Sequence, residues 1–136
     1  MLVVSAMEEL QSRLGQELGV SDWHSVSQDD VDCFAQVTGD RQWNTHGFYT
    51  LALIPMLMGQ VLSLQGLGFV INYGLNKVRF PAPLPVGERV RLRLSLEAIA
   101  TRPGSSDITL LSSLECPSQE KPVCVAESVV RVFELR

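Results

Sequence analysis

The segment at residues 48–64, FYTLALIPMLMGQVLSL, limits what this chain can fold into more than any other feature of the sequence. Apolar residues occupy nearly every position, so a helix formed by it is apolar on all sides and must be covered by other structure. A helix of these 17 residues spans about 25 Å and contains Pro55, Gly59 and Gln60, which disfavours a membrane span. The segment therefore predicts a buried core helix.

The second half of the chain is rich in predicted strands that are able to provide this cover. The candidate strands are 69–73, 77–80, 88–102, 107–115 and 123–135. In the third, Val90, Leu92 and Leu94 alternate with arginines, which predicts one buried and one solvated face. The turn residues at 103–107 and 117–122 predict antiparallel connections. The predicted class is α+β, with a curved antiparallel sheet around one long central helix.

Two amphipathic helices are predicted ahead of the core helix. Ser5 and Glu8 have the spacing of a capping box, which predicts a first helix running to Leu18. Ser27 predicts the start of a second helix, with two aspartates in its first turn, and that helix ends at Gly39.

Composition narrows the range of partners. With 136 residues, 46% of them apolar, we expect a single domain over 1–136. Eleven basic residues against 15 acidic ones give a net charge of −4, so neither nucleic acid nor an anionic membrane is an expected partner. Three cysteines without metal or disulfide spacing indicate reduced thiols and a cytoplasmic setting.

Candidate chemistry is concentrated in the polar run GDRQWNTHG at 39–47. The sequence has no phosphate loop, nucleophile elbow or metal-ligand cluster, so we expect no cofactor and no metal. Asp40 and His46 are able to share proton transfer; the alternative is that the aspartate caps or braces the loop and the histidine caps the next helix. Gly47 opens the core helix, where free N–H groups bind a developing oxyanion; an ordinary helix start is the alternative.

Four sequence segments resemble the family of MaoC-like dehydratases and (R)-specific enoyl-CoA hydratases. They are LGVSDWHSVSQDDVDCFAQVTGD, HGFYTLALIPMLM, INYGLNKVRFPAPLPVGERVRLRLSLEAI and KPVCVAESVVRV, which together cover most of the chain. The resemblance implies a hot-dog fold, a homodimer, and acyl-CoA sites at the subunit interface. It also implies that Asp40 is the catalytic aspartate and that the Gly47 amide meets the thioester oxygen. We expect Asn44, Phe48, Lys77 and Arg79 to bind the substrate.

The sequence departs from the family's pattern at the histidine. The family places its catalytic histidine five residues after the aspartate, a position that Thr45 occupies here, while His46 aligns with the histidine of His-Gly-Phe. Two explanations compete: a loop carrying the usual histidine is missing from this sequence, or the protein itself lacks that loop. In the second case His46 takes over from a different place, or the site is impaired.

These observations predict an (R)-specific enoyl-CoA hydratase, or 3-hydroxyacyl-CoA dehydratase, that adds or removes water by acid–base chemistry. One alternative is an acyl-CoA thioesterase, although the helix at 48–64 contains no carboxylate of the kind that such enzymes commonly carry there. Another alternative is a non-catalytic acyl-CoA-binding or dimerising subunit, which the absence of the usual histidine motivates.

Overall fold

A computed structural model describes residues 1–41 and 46–134 of the chain. The helices are α1 (Met7–Gln11), α2 (Gln28–Thr38) and α3 (Gly47–Val61). The strands are β1 (Leu2–Val3), β2 (Glu17–Val20), β3 (His24–Ser25), β4 (Leu62–Ser63), β5 (Gly68–Arg79), β6 (Arg89–Arg102), β7 (Ser105–Glu115) and β8 (Cys124–Glu134).

The main sheet is antiparallel and has the order β2-β6-β7-β8-β5, with β3 also paired to β6. The predicted turn after β6 forms a tight hairpin, in which Gly104 adopts a φ of 82°. A conformation with positive φ is costly for residues with a side chain, which explains the glycine at this corner. The predicted alternation in β6 is confirmed, since Val90, Leu92 and Leu94 are fully buried.

Helix α3 packs on the face of the sheet that carries the buried side chains, with contacts to β2, β6, β7 and β8. Its own buried apolar side chains include Ile54, Leu57 and Val61. The expectation that every side of this helix is covered is wrong for the single chain, because Phe48 is 61% exposed and Met56 is 48% exposed. One sheet covers only one side of a helix. Within residues 1–41 and 46–134, no helix is long and apolar enough to cross a membrane.

The first helix is shorter than predicted. Helix α1 ends at Gln11, its N-cap is Ala6 without a side-chain hydrogen bond, and the Ser5 N–H donates instead to the Glu9 carboxylate at 3.4 Å. The segment that follows forms β2, where Glu17 accepts a hydrogen bond from Arg93 of β6 at 2.7 Å. Pairing with a neighbouring strand therefore overrides the local helical preference.

The second helix begins and ends as predicted. The Ser27 hydroxyl accepts a hydrogen bond from the Asp30 N–H at 3.1 Å, which is a side-chain N-cap. Gly39 ends the helix with a φ of 76°, and its N–H donates to the Ala35 carbonyl at 2.8 Å. This left-handed residue turns the chain sharply away from the helix axis.

The predicted strands 69–73 and 77–80 form one continuous strand, β5, at the edge of the main sheet. It pairs with β8, and register shifts occur between Asn72 and Gly74 and between Leu75 and Lys77. These irregularities interrupt the alternation of side chains, and the sequence pattern therefore predicts two strands where the structure has one. Its residue Lys77 is exposed, and its last residue, Arg79, is followed directly by Phe80.

The outer face of the sheet carries paired charges. The Glu115 carboxylate accepts hydrogen bonds from Arg93 at 2.6 Å and from Arg91 at 2.8 Å, and these bonds hold the pKa of Glu115 below its usual value. The Arg91 guanidinium also lies 4.4 Å from the centre of the Trp23 ring. Arg91 and Arg93 are already paired with a carboxylate. This face therefore fits the predicted solvated surface better than it fits a binding site for a phosphate group.

Leu57 tests the contact between α3 and the sheet. Its side chain is fully buried, so Leu57→Ala removes apolar contacts and leaves a cavity, and we expect a loss of about 3 kcal/mol in the free energy of unfolding. Val37→Ala on α2 is the control, because Val37 is 85% exposed and its truncation changes stability by no more than about 0.5 kcal/mol. Urea denaturation measures both, and equal effects would contradict the packing described.

Candidate active site

Asp40 is placed by the end of α2. The Thr38 hydroxyl donates to the Phe34 carbonyl at 2.6 Å and accepts from the Asp40 N–H at 3.1 Å. Together with the left-handed Gly39, these bonds fix where the chain leaves the helix. Asp40 is half-buried at this corner, two residues after the last residue of α2.

His46 and Gly47 stand at the start of α3. His46 is the N-cap residue, and its carbonyl accepts the N–H of Thr50 at 2.9 Å. In the part of the chain that the structure describes, no side chain caps this helix. The first N–H groups of a helix lack carbonyl partners within the helix and carry the positive end of its dipole. They therefore suit a partially negative oxygen.

A cavity of about 500 Å³ brings the predicted acid–base pair together. Its lining includes Asp40 and His46, with Arg41 beside the aspartate. The rest of the wall comes from α2 and from the proline-rich arm between β5 and β6, namely Gln28, Val31, Asp32, Ala35, Leu84, Pro85 and Val86. One cavity thus holds a carboxylate and an imidazole, which are able to exchange protons with water or a substrate, and a guanidinium, which stays charged.

A smaller cavity of about 100 Å³ lies next to it and contains Gly47. The two cavities share His46 and Leu84 in their walls. The Phe80 ring covers Gly47 closely, since a β-carbon built on the glycine would lie 3.0 Å from two ring atoms. Phe80 also packs edge-on against Phe48, with ring centroids 6.0 Å apart. A side chain at position 47 would therefore require the Phe80 ring to move by a few tenths of an ångström.

Thr50 is a residue of this corner that the sequence reasoning missed. It lines the smaller cavity, is only 1% exposed, and donates its hydroxyl to the Gly47 carbonyl at 2.6 Å. Below it, burial raises the pKa of the Cys124 thiol, and a hydrogen bond with the Thr50 side chain partly offsets that rise. The signal available in the sequence is a small polar side chain in the first turn of a largely apolar helix.

A third cavity, of about 270 Å³, is apolar and lies between α3 and the edge of the sheet. Its helical wall is formed by Leu51, Ile54, Pro55 and Met58, and its strand wall by Asn72, Gly74, Leu75, Ala126, Ser128, Val129 and Val130. The lining and the volume suit a short aliphatic chain.

Three of the four predicted substrate-binding residues lie within the described part of the chain, and they belong to two different elements, α3 and β5. Phe48 lies at the start of α3, exposed and beside Phe80. Lys77 and Arg79 are exposed on β5, at the end of the strand that leads into Phe80. Asn44 lies outside the described residues.

Sequence comparison assigns the chain to a family. No family model matches it. It is 40% identical to 3-hydroxyacyl-thioester dehydratase Z of Mycobacterium tuberculosis, in an alignment that covers 96% of this chain and 98% of that protein. It is 31% identical to nodulation protein N of Rhizobium leguminosarum, over 89% and 87% of the two chains. The chain belongs to the family of 3-hydroxyacyl-thioester dehydratases.

Solved structures support the same fold. The MaoC-like dehydratase of Rhodospirillum rubrum matches with a TM-score of 0.72 and 22% identity, over 90% of this chain and 94% of that one. An (R)-hydratase of A. caviae involved in PHA biosynthesis matches with a TM-score of 0.66 and 22% identity, over 86% and 94%. These similarities confirm the predicted hot-dog fold.

The contact between Gly47 and Phe80 is testable by a double-mutant cycle. Gly47→Ala places a β-carbon against the ring, and we expect it to lower the free energy of unfolding by about 1 kcal/mol. In the Phe80→Ala background the same change should cost close to nothing, because the obstructing ring is gone. Urea unfolding of the four proteins measures this coupling. An equal cost in both backgrounds would show that the ring does not constrain position 47.

Proposed function

We propose that the protein catalyses the reversible dehydration of 3-hydroxyacyl thioesters, with the acid–base chemistry of an (R)-specific enoyl-CoA hydratase. Family membership supports the class of reaction, since the relative at 40% identity is a 3-hydroxyacyl-thioester dehydratase. The observation that carries the proposal is the shared cavity of Asp40 and His46 beside the open start of α3. A proton-transfer pair and a cluster of N–H groups are what this reaction requires.

In the proposed reaction Asp40 and His46 handle the protons. In hydration, the oxygen of water bonds to C3 of the enoyl thioester while the pair accepts a proton from that water. A proton passes from the pair to C2, and the double bond becomes a single bond. Dehydration follows the same steps in reverse. Positioned acid–base groups of this kind contribute roughly 10²–10⁴-fold in rate.

The Gly47 N–H is the proposed donor to the thioester oxygen. Negative charge develops on that oxygen when C2 gains or loses its proton, and a donor already aimed at it stabilises the transition state more than the ground state. A single donor of this type contributes about 3–4 kcal/mol. Exposed Lys77 and Arg79 supply positive charge for the phosphates of an acyl-CoA, with Phe48 and Asn44 proposed as further substrate contacts.

The identity of the histidine stays open between two proposals. The alignment with the mycobacterial dehydratase spans 148 positions, so at least 12 of them have no counterpart among the 136 residues of this chain. This difference supports the proposal that the present chain lacks residues that the mycobacterial protein has. With the segment absent, His46 is the histidine that shares a cavity with Asp40.

Asp40→Asn tests the proposed mechanism. The substitution keeps the shape of the side chain and removes its basicity, so we expect the rate of crotonyl-CoA hydration to fall by at least about 100-fold with the fold intact. Loss of the absorbance of the conjugated thioester measures the rate, and circular dichroism measures the fold.

Asp29→Asn is the matched control for this experiment. Asp29 lies in the first turn of α2 and outside the cavity lining, so its substitution should leave the rate within about twofold of the parent. An Asp40→Asn protein as active as the parent would remove Asp40 from the mechanism.

The same assay separates the two alternative functions. Release of free thiol from an acyl-CoA, without any change in enoyl absorbance, would favour a thioesterase. Tight acyl-CoA binding without turnover would favour a non-catalytic subunit, provided that intact mass spectrometry gives the mass of these 136 residues. A larger mass would instead indicate that a segment carrying the usual histidine belongs to the protein.

We also propose that two copies of the chain associate through β5 and the open side of α3. Strand β5 ends the order of the main sheet, so within the described ranges it pairs on one side only. Phe69, Tyr73 and Leu75 of this strand are 62%, 55% and 49% exposed, and Leu75 lines the apolar cavity beside α3, whose Phe48 and Met56 are also exposed. A long edge strand and an adjoining apolar surface favour association with another chain.

Leu75→Lys tests this association. A lysine in the middle of β5 introduces charge repulsion between two copies and should shift a dimer to a monomer in light scattering coupled to size-exclusion chromatography. Val37→Lys, on the exposed surface of α2, should leave the oligomeric state unchanged. A Leu75→Lys protein that stays dimeric would exclude β5 as the interface.

We propose a cytoplasmic location because the three cysteine thiols are free. Cys33 is exposed, Cys116 and Cys124 are buried, and all three are free in the structure. Free thiols persist in reducing compartments, whereas exported proteins tend to pair theirs. The substrate class is consistent with this setting.

A further inference from the structure

The first turn of α3 is held by one side chain that the proposed mechanism does not use. Thr50 makes two hydrogen bonds to the start of the helix: its N–H donates to the His46 carbonyl at 2.9 Å, and its hydroxyl donates to the Gly47 carbonyl at 2.6 Å. The second bond is additional to the ordinary pattern of a helix. It is also short, within the range of well-formed O–H···O bonds.

These two bonds set the direction of the N–H groups at the helix start. A peptide unit is planar, so the carbonyl of one residue and the N–H of the next point in opposite directions within one rigid plane. Holding the His46 carbonyl therefore aims the Gly47 N–H, and holding the Gly47 carbonyl aims the Phe48 N–H. The Thr50 hydroxyl thus fixes the peptide unit between Gly47 and Phe48, whereas the bond to the His46 carbonyl comes from the backbone N–H of residue 50 and does not depend on the side chain.

The position needs such control because glycine is conformationally permissive. A helix that begins with glycine, and that no described side chain caps, is prone to fraying at its first turn. Thr50 opposes this fraying because its side chain is buried: it is 1% exposed and contacts the fully buried Cys124. Its hydroxyl is sheltered from water, so losing the bond to Gly47 would leave a buried polar group without a partner.

We infer that Thr50 is a positioning residue whose hydroxyl fixes the Gly47–Phe48 peptide unit and thereby restrains the glycine whose N–H is the proposed donor to the thioester oxygen. This inference rests on the proposed function and extends it to a residue that does not touch the substrate. Preorganised donors act by being aimed before the charge develops, so a donor that swings freely loses part of its effect on the transition state. Binding of the ground-state substrate depends less on this aim.

Thr50→Val and Thr50→Ser form the test. Valine has nearly the same shape and lacks the hydroxyl, so we expect kcat for crotonyl-CoA hydration to fall about 10-fold to 100-fold with KM changed less than about twofold. Serine retains the hydroxyl and should restore most of kcat. Ser21→Ala removes a buried hydroxyl that accepts from the Leu92 N–H and donates to the Asp22 carbonyl; it should leave kcat unchanged and so controls for the loss of a buried, hydrogen-bonded hydroxyl.

Amide hydrogen exchange gives a readout that does not depend on activity. If Thr50 holds the helix start, the amide at position 50, which donates to the His46 carbonyl, should exchange at least about tenfold faster in Thr50→Val than in the parent, while amides near Leu57 stay unchanged. Should the valine variant fail to fold, Thr50→Ala takes its place in both measurements.

The outcomes separate the two proposals. A folded Thr50→Val protein with unchanged kcat and unchanged exchange would overturn the positioning role, as would equal losses of kcat in the valine and serine variants. A parent protein without hydratase activity would overturn the proposed function instead, and the exchange experiment would then still decide whether Thr50 holds the helix start.

Discussion

The contact between the apolar helix α3 and one face of the antiparallel sheet is the interaction on which the rest of the structure depends. Leu57 and Val61 of the helix are buried where α3 packs against the aliphatic side chains of β6, β7 and β8. Burial of this area is the main source of stability in such a fold. It also fixes where the helix begins, and the proposed chemistry lies at that end.

The site is formed where elements end, because that is where backbone groups are free and side chains leave regular structure. Helix α2 ends at Gly39 and releases Asp40, while α3 begins at Gly47. The proline-rich arm after β5 closes the corner with Phe80 and Leu84. The sheet and the two helix ends thus hold a carboxylate, an imidazole and free N–H groups around adjoining cavities.

Local patterns predicted much of the fold. The cap at Ser27, the left-handed Gly39 and the alternation in β6 are short-range features, and the structure contains all three. The first helix was predicted too long because Glu17 pairs with β6, a partner far away in sequence. Of the candidate site, Asp40, His46 and Gly47 are predicted from the sequence, whereas Thr50 is not, because its contacts with Gly47 and Cys124 form only after packing.

The sequence by itself determined that one apolar helix needs an antiparallel sheet to cover it, because the periodicity of apolar residues dictates which surfaces must leave water. It also determined which residue types were available for proton transfer. Only the tertiary structure decided that α3 keeps one side open, that β5 stands at an edge, and that Asp40 and His46 line one cavity. These features arise from contacts between distant segments, and no local pattern encodes how far a sheet extends around the helix it covers.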